Sequence, residues 1–194
     1  MISEVFRVLR DALNDHIKLA AGYRPTDTTE EQVFFANANL IDKCDFKSGF
    51  VTMLLVGLEE DRQVLPADPY RRVLANGTSV QVKAPVPLNI YILFVARYND
   101  YLNTLRALDA IVQFFQKYRV IDRTNMPTLA TGIEKLVSEH VNMPIHEHNH
   151  VWGMLNTSYQ PSILYRVRMV VFHDADGLPL APTNLTSLYL ESKK

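Results

Sequence analysis

Hydrophobic residues in Leu88 to Ala96 (LNIYILFVA) occupy both parities of an extended chain, and the stretch carries no charge. A strand that is apolar on both faces belongs in the middle of a sheet with a layer packed on each side. Pro85 and Pro87 stand just before it, since a central strand cannot spare the N–H groups that proline lacks. From Asn99 the period changes. Tyr101, Leu105, Leu108, Val112 and Phe115 recur at spacings of three and four, and Leu102, Ile111, Phe114 and Tyr118 widen the stripe. This predicts a helix of about five turns with a broad buried face, capped by Asn99 or Asp100. A second amphipathic helix is predicted at the start of the chain. Ile2, Val5, Phe6, Leu9, Leu13 and Ile17 lie on one side, Ser3 is the expected N-cap, and Gly22 is the expected C-terminal stop.

The remaining pattern is mostly strand and loop. Val33–Ala36 predicts a short strand, and Phe50–Glu60 (FVTMLLVGLEE) a second buried one with a bulge at Gly57. Asp61–Ser79 carries Pro66, Pro69, Asn76 and Gly77 and predicts a long loop or an irregular hairpin arm. Val80–Ala84 and Val120–Asp122 predict short strands, and Ile133–Val141 a half-exposed one. A short helix is expected from Pro144 to Leu155. Ser162–Phe172 (SILYRVRMVVF) alternates, with Ile163, Tyr165, Val167 and Met169 on one face and Leu164, Arg166, Arg168 and Val170 on the other. These elements define an α+β (α/β) fold: a mixed, largely antiparallel sheet packed by an N-terminal helix and a long central helix. The expected boundaries are one domain over residues 1–173 and a C-terminal tail over 174–194.

Composition narrows the function. The 194 residues suffice for one ordinary core, and the net charge of −1 argues against general phosphate binding, so no nucleic-acid partner is expected. Cys44 is the only cysteine, which fits a reducing compartment. No apolar run is long enough to span a bilayer, and the charged N-terminus has no secretory segment. A cytoplasmic protein with no membrane insertion is the expectation.

Candidate chemistry is sparse. His140, His146, His148 and His150 lie close together, and His146 and His150 at i and i+4 on a helix are the pair that could share a metal. The order lacks the HExxH arrangement, and an exposed polar helix face accounts for the run more simply. Cys44 sits between Asp42 and Asp45, which would raise its pKa, opposite to a nucleophile's need. Neither a G-x-S-x-G elbow nor a glycine-rich phosphate loop is present. Glu30–Glu31 and Glu59–Glu60–Asp61 read as solvated charge clusters. Arg166 and Arg168 are either solvent-face residues or the charged rim of an interface. Trp152, the single tryptophan, is a core-edge anchor or part of a binding pocket.

Several of these stretches together resemble one family. They are MISEVFRVLRDALN, LLVGLEEDR, PVPLNIYILFVARYNDYLNTLRALDAIVQFFQ, GIEKLVSEHVNM followed by HNHVWGML, and YQPSILYRVRMV. They resemble the cap, or tail-terminator, family of phage-tail-like contractile injection systems, from Met1 to about Phe172. The most specific pieces are PxxLNIYILF with its following helix and W-G-x-L ahead of the Pro-Ser-Ile-Leu-Tyr-Arg-Val-Arg strand. The resemblance implies a tail-terminator-like fold and a homo-oligomer, a hexameric ring, that sits on the inner tube and contractile sheath. Sheath strands would then be received at an exposed sheet edge. It implies a particle component assembled in the cytoplasm, with no catalytic residues and no cofactor. Arg166 and Arg168 are the closest matches to a recurring motif of the family, and with Trp152 they are the interface candidates. The histidine run departs from the family pattern, and an extra C-terminal domain found in some relatives is not expected here. The alternatives are an adaptor or assembly chaperone of the same particle, and a histidine-based metal-binding protein.

Overall fold

The computed structural model describes residues 2–20, 31–36, 46–61, 71–73, 79–81, 87–130, 132–171 and 178–179. Gly22, Glu30, Cys44 and residues 180–194 lie outside these, as does most of the expected loop between Asp61 and Ser79. The elements run α1 (Ile2–Leu19), β1 (Val33–Phe35), β2 (Phe50–Glu60), β3 (Arg71–Val73), β4 (Ser79–Gln81) and β5 (Leu88–Arg97). They continue α2 (Tyr101–Lys117), β6 (Val120–Asp122), β7 (Ile133–His140), α3 (Ile145–Met154), β8 (Ser162–Val171) and β9 (Leu178–Pro179). Six strands form one sheet in the order β1-β2-β5-β8-β7-β6. Among the described strands of this sheet the β1–β2 pair is parallel and the others are antiparallel. The expected α+β class and mixed, largely antiparallel sheet are what the chain forms. A small second sheet, β3-β4-β9, takes its last strand from the segment expected as a tail.

β5 is central and buried on both sides, as its doubly apolar sequence requires. Ile90, Ile92, Phe94 and Ala96 face a core shared with α1 and α2. Leu93 and Val95 face the opposite side, where Phe46, Leu54, Trp152 and Leu164 close a second cluster under α3. The bulge expected at Gly57 is present. Leu55 pairs with Ile92 but Gly57 with Tyr91, so Val56 is the extra residue and the strand changes parity there. A Cβ on Gly57 would sit 3.3 Å from Tyr91 Cδ2, a close approach that glycine avoids.

The helices differ from expectation in detail. Ser3 falls inside the first turn of α1, which begins at Ile2, rather than capping it. Val5, Leu9, Leu13 and Ile17 are buried as predicted. Asp100 caps α2, its carboxylate accepting from the Leu102 N–H at 3.1 Å. The buried face of α2 is centred on Thr104, Ala107, Ile111 and Phe114, with Ala110 and Phe115 beside it. Tyr101, Leu102 and Leu105, taken from the sequence as core, are 65, 51 and 40 % exposed. Small residues at 104, 107 and 110 let the helix axis come close to its neighbours, so the larger residues of the first turns end up on the flank. Phe115 stacks on Tyr165 of β8 with ring centroids 4.1 Å apart, and both pack against Phe94. α3 starts as predicted after Pro144, whose carbonyl accepts from the Glu147 N–H.

Candidate functional site

Arg166 and Arg168 lie on the face of β8 that turns away from α1 and α2. Neither projects freely into solvent. Arg166 is in register with Tyr91 of β5 on one side and Glu139 of β7 on the other. Its guanidinium forms an ion pair with the Glu139 carboxylate, which holds that carboxyl below its usual range and raises the arginine further. The Tyr91 hydroxyl donates to Glu59 Oε2 at 3.0 Å. Burial and the Glu59 carboxylate raise the tyrosine's pKa, so it remains a donor at neutral pH. Glu59, Tyr91, Arg166 and Glu139 thus make a polar row across β2, β5, β8 and β7.

Arg168 begins a second row. Its Nε is 2.7 Å from Asp61 Oδ2, and the Asp61 side chain is only 4 % exposed. The N–H does not point along that line, so the attraction is charge on charge rather than an aligned hydrogen bond. This corrects the reading of Glu59–Glu60–Asp61 as a solvated cluster: Glu59 and Glu60 are exposed, and Asp61 is buried. Asn89, in register beside Arg168, is also buried, and its Oδ1 has no hydrogen-bond partner among the described residues. The sequence reading singled out the two arginines but missed Asp61, Tyr91, Glu139 and Asn89. The available signal was parity, since Asn89 and Tyr91 alternate with Ile90 and Ile92 and so had to face the same side as the arginines.

Trp152 is 5 % exposed and packs edge-on against Phe46 at 5.7 Å, so it anchors α3 to the sheet beneath the surface. The histidines spread out. His146 and His150 are exposed on α3, His140 ends β7 with its ring against Tyr165, and His148 turns toward Tyr159. Among the described residues, no group of three or more His, Cys, Asp or Glu side chains is placed to hold a metal ion. No helix among them is long and apolar enough to cross a membrane. Glu139 and Asp61 are engaged with arginines, and Glu59 with the Tyr91 hydroxyl. The chemistry of this sheet face is that of a rigid, charged, hydrogen-bonding surface.

Two solved structures share this architecture. The sheath/tube terminator of an extracellular contractile injection system, PVC, in its extended state matches with a TM-score of 0.60. It is 14% identical, over 94% of this chain and 61% of that one. The tube-terminating cap of the anti-feeding prophage matches with a TM-score of 0.53 at 14% identity, over 93% of this chain and 58% of that one. This chain therefore spans about three fifths of the length of those proteins. No curated protein matches. The family model for the Pvc16 N-terminal domain matches residues 4–183, and the chain belongs to that family.

Proposed function

We propose that this protein is a structural cap of a contractile injection system, ending the inner tube and sheath as a ring and carrying no enzymatic activity. The observation that carries the proposal is the family match over residues 4–183, together with a fold shared with a sheath/tube terminator over 94% of the chain. The sheet face supports it. Its charges are held in place across four strands, an arrangement suited to docking a fixed partner surface and not to moving protons. The partners under this reading are further copies of the chain, six in the closed ring, and the tube and sheath subunits.

Strand acceptance from the sheath is part of the same proposal. Both outer strands of the six-stranded sheet are three residues long. β1 pairs with β2 only along Val51–Met53, so among the described residues the outer edge of β2 beyond that point has no strand neighbour. Light scattering on the untagged protein at micromolar concentration, with negative-stain images of the same sample, tests the ring. A hexameric particle with a central opening is expected. If the protein stays monomeric even after mixing with tube and sheath subunits, the cap reading fails. A peptide from the sheath's terminal arm is expected to bind, and proline in its middle to abolish binding by removing a ladder donor.

A further inference from the structure

β6 is the outer strand on the far side of the sheet from β1, and the turn after it already occupies its free edge. The Arg119 carbonyl accepts from the Ser138 N–H of β7 at 2.8 Å, and β6 continues in register with Ile121 opposite Leu136. Alternate residues of an antiparallel strand bond to the neighbour, so Val120 and Asp122 turn their main-chain groups outward. Those groups are largely taken. The Val120 carbonyl accepts from Asn125 Nδ2 at 2.8 Å, and the Asp122 N–H donates to Asn125 Oδ1 at 3.0 Å. The Asp122 carbonyl accepts from the Met126 N–H at 2.8 Å. Of these outward groups, the Val120 N–H alone is left among the described residues. We propose that Asn125 plugs the β6 edge against strand addition, so the sheet accepts a foreign strand at β2 only.

The side-chain amide of Asn125 presents one donor and one acceptor, as the peptide group of an added strand would. It is held there by the residue whose main chain it covers. The Asp122 carboxylate accepts from the Thr124 N–H at 2.8 Å and from the Asn125 N–H at 3.1 Å. Without the plug, β6 would be an open edge carrying the half-exposed Val120, the kind of edge that pairs with other chains. β2 is different. Its Val51 N–H and Met53 carbonyl point outward to β1, bonding Gln32 and Ala36. Leu55 follows in the same alternation past the end of β1, so among the described residues no strand meets its outer main chain. If both edges were open, the β2 edge of one copy could add to β6 of another. Such a head-to-tail contact repeats as a filament unless its rotation closes. One closed edge limits the sheet to strands added at the other.

The role of β2 as the accepting edge rests on the capping reading, but closure of β6 does not, and it is tested on the isolated full chain. Asn125→Ala removes both side-chain bonds. Asn125→Ser, too short to bridge the two groups, serves the same end should the alanine variant not fold. Hydrogen exchange at the Asp122 amide should quicken about fivefold. Sedimentation velocity should show species that grow with concentration beyond the largest wild-type one. Adding Val120→Lys, an edge charge, should return the wild-type distribution while the Asp122 amide stays fast. Circular dichroism checks that each variant keeps its fold. The proposal is overturned by an Asp122 amide as slow as in wild type, or by a folded variant with the wild-type distribution. Growth that Val120→Lys leaves in place overturns it too. Whether the wild-type chain forms a ring decides none of these results, so this proposal and the capping reading fail separately.

Discussion

Arg168 Nε lies 2.7 Å from Asp61 Oδ2, tying β8 to the residue that follows β2 across the intervening β5. The aspartate is buried, and the arginine is the cation beside it. Arg168→Met is expected to destabilise the protein by about 3 kcal/mol, because it leaves a carboxylate desolvated without its cation. Asp61→Asn combined with Arg168→Met should recover much of that loss. Urea denaturation of the single and double variants measures both. Additive losses would mean that the two side chains do not depend on each other.

The placement of α2 makes an opposite pair of predictions at neighbouring positions. Ala107 is fully buried, and Ala107→Leu should cost about 1–3 kcal/mol by overpacking. Leu105→Ser removes a larger apolar side chain but from the exposed flank, and should stay within about 0.5 kcal/mol of wild type. Thermal melts of the two variants test which face is inside. A large loss at Leu105 with tolerance at Ala107 would turn the helix back to the face its sequence stripe suggests.

Acid should loosen the contact between α1 and α2 before it affects the sheet. His16 packs against Phe114 at 5.6 Å with its Nε2 buried and unpartnered among the described residues. Burial, and then the nearby Lys117 charge, lower its pKa below the ordinary histidine value. For a base whose folded pKa is depressed, the unfolded chain binds the proton more readily. Stability is therefore complete above about pH 6.5 and declines as pH falls below it. His16→Leu should flatten that part of the stability-versus-pH curve, measured by denaturant midpoint, and an unchanged curve would contradict the assignment.

Glu139 gives a second, more acidic phase. Arg166 depresses its pKa, so this carboxylate contributes above the ordinary glutamate range, and the contribution is lost as pH falls through the folded value. The pair is a third exposed, so the effect is small and weakens with salt. Glu139→Gln should remove it while leaving the histidine phase in place.

Much of the fold was legible because strong periodicity survives packing. β5 announced itself by being apolar on both parities, β8 by its alternation, and the bulge by one glycine in an otherwise bulky strand. The rotation of α2 was not legible, because large side chains dominate a hydrophobic stripe while close approach is decided by small ones such as Ala107 and Ala110. Asp61 was misread for a related reason. Sequence shows an acid beside two other acids, but burial and the cation that matches it come from Arg168, on a strand far along the chain. The contact of Trp152 with Phe46 was not legible either, because it joins segments more than a hundred residues apart.

β5 also sets a timetable. Its neighbour on one side, β2, is made early, but its neighbour on the other, β8, is made only after α2, β6, β7 and α3. During synthesis the most apolar strand in the chain therefore waits half-paired until almost the last described strand has left the ribosome. Contacts so distant in sequence close slowly. The charged face carrying Arg166 and Arg168 cannot exist before that closure, because Arg166 and Arg168 are themselves on β8 and their partners Glu139 and Asp61 on other segments.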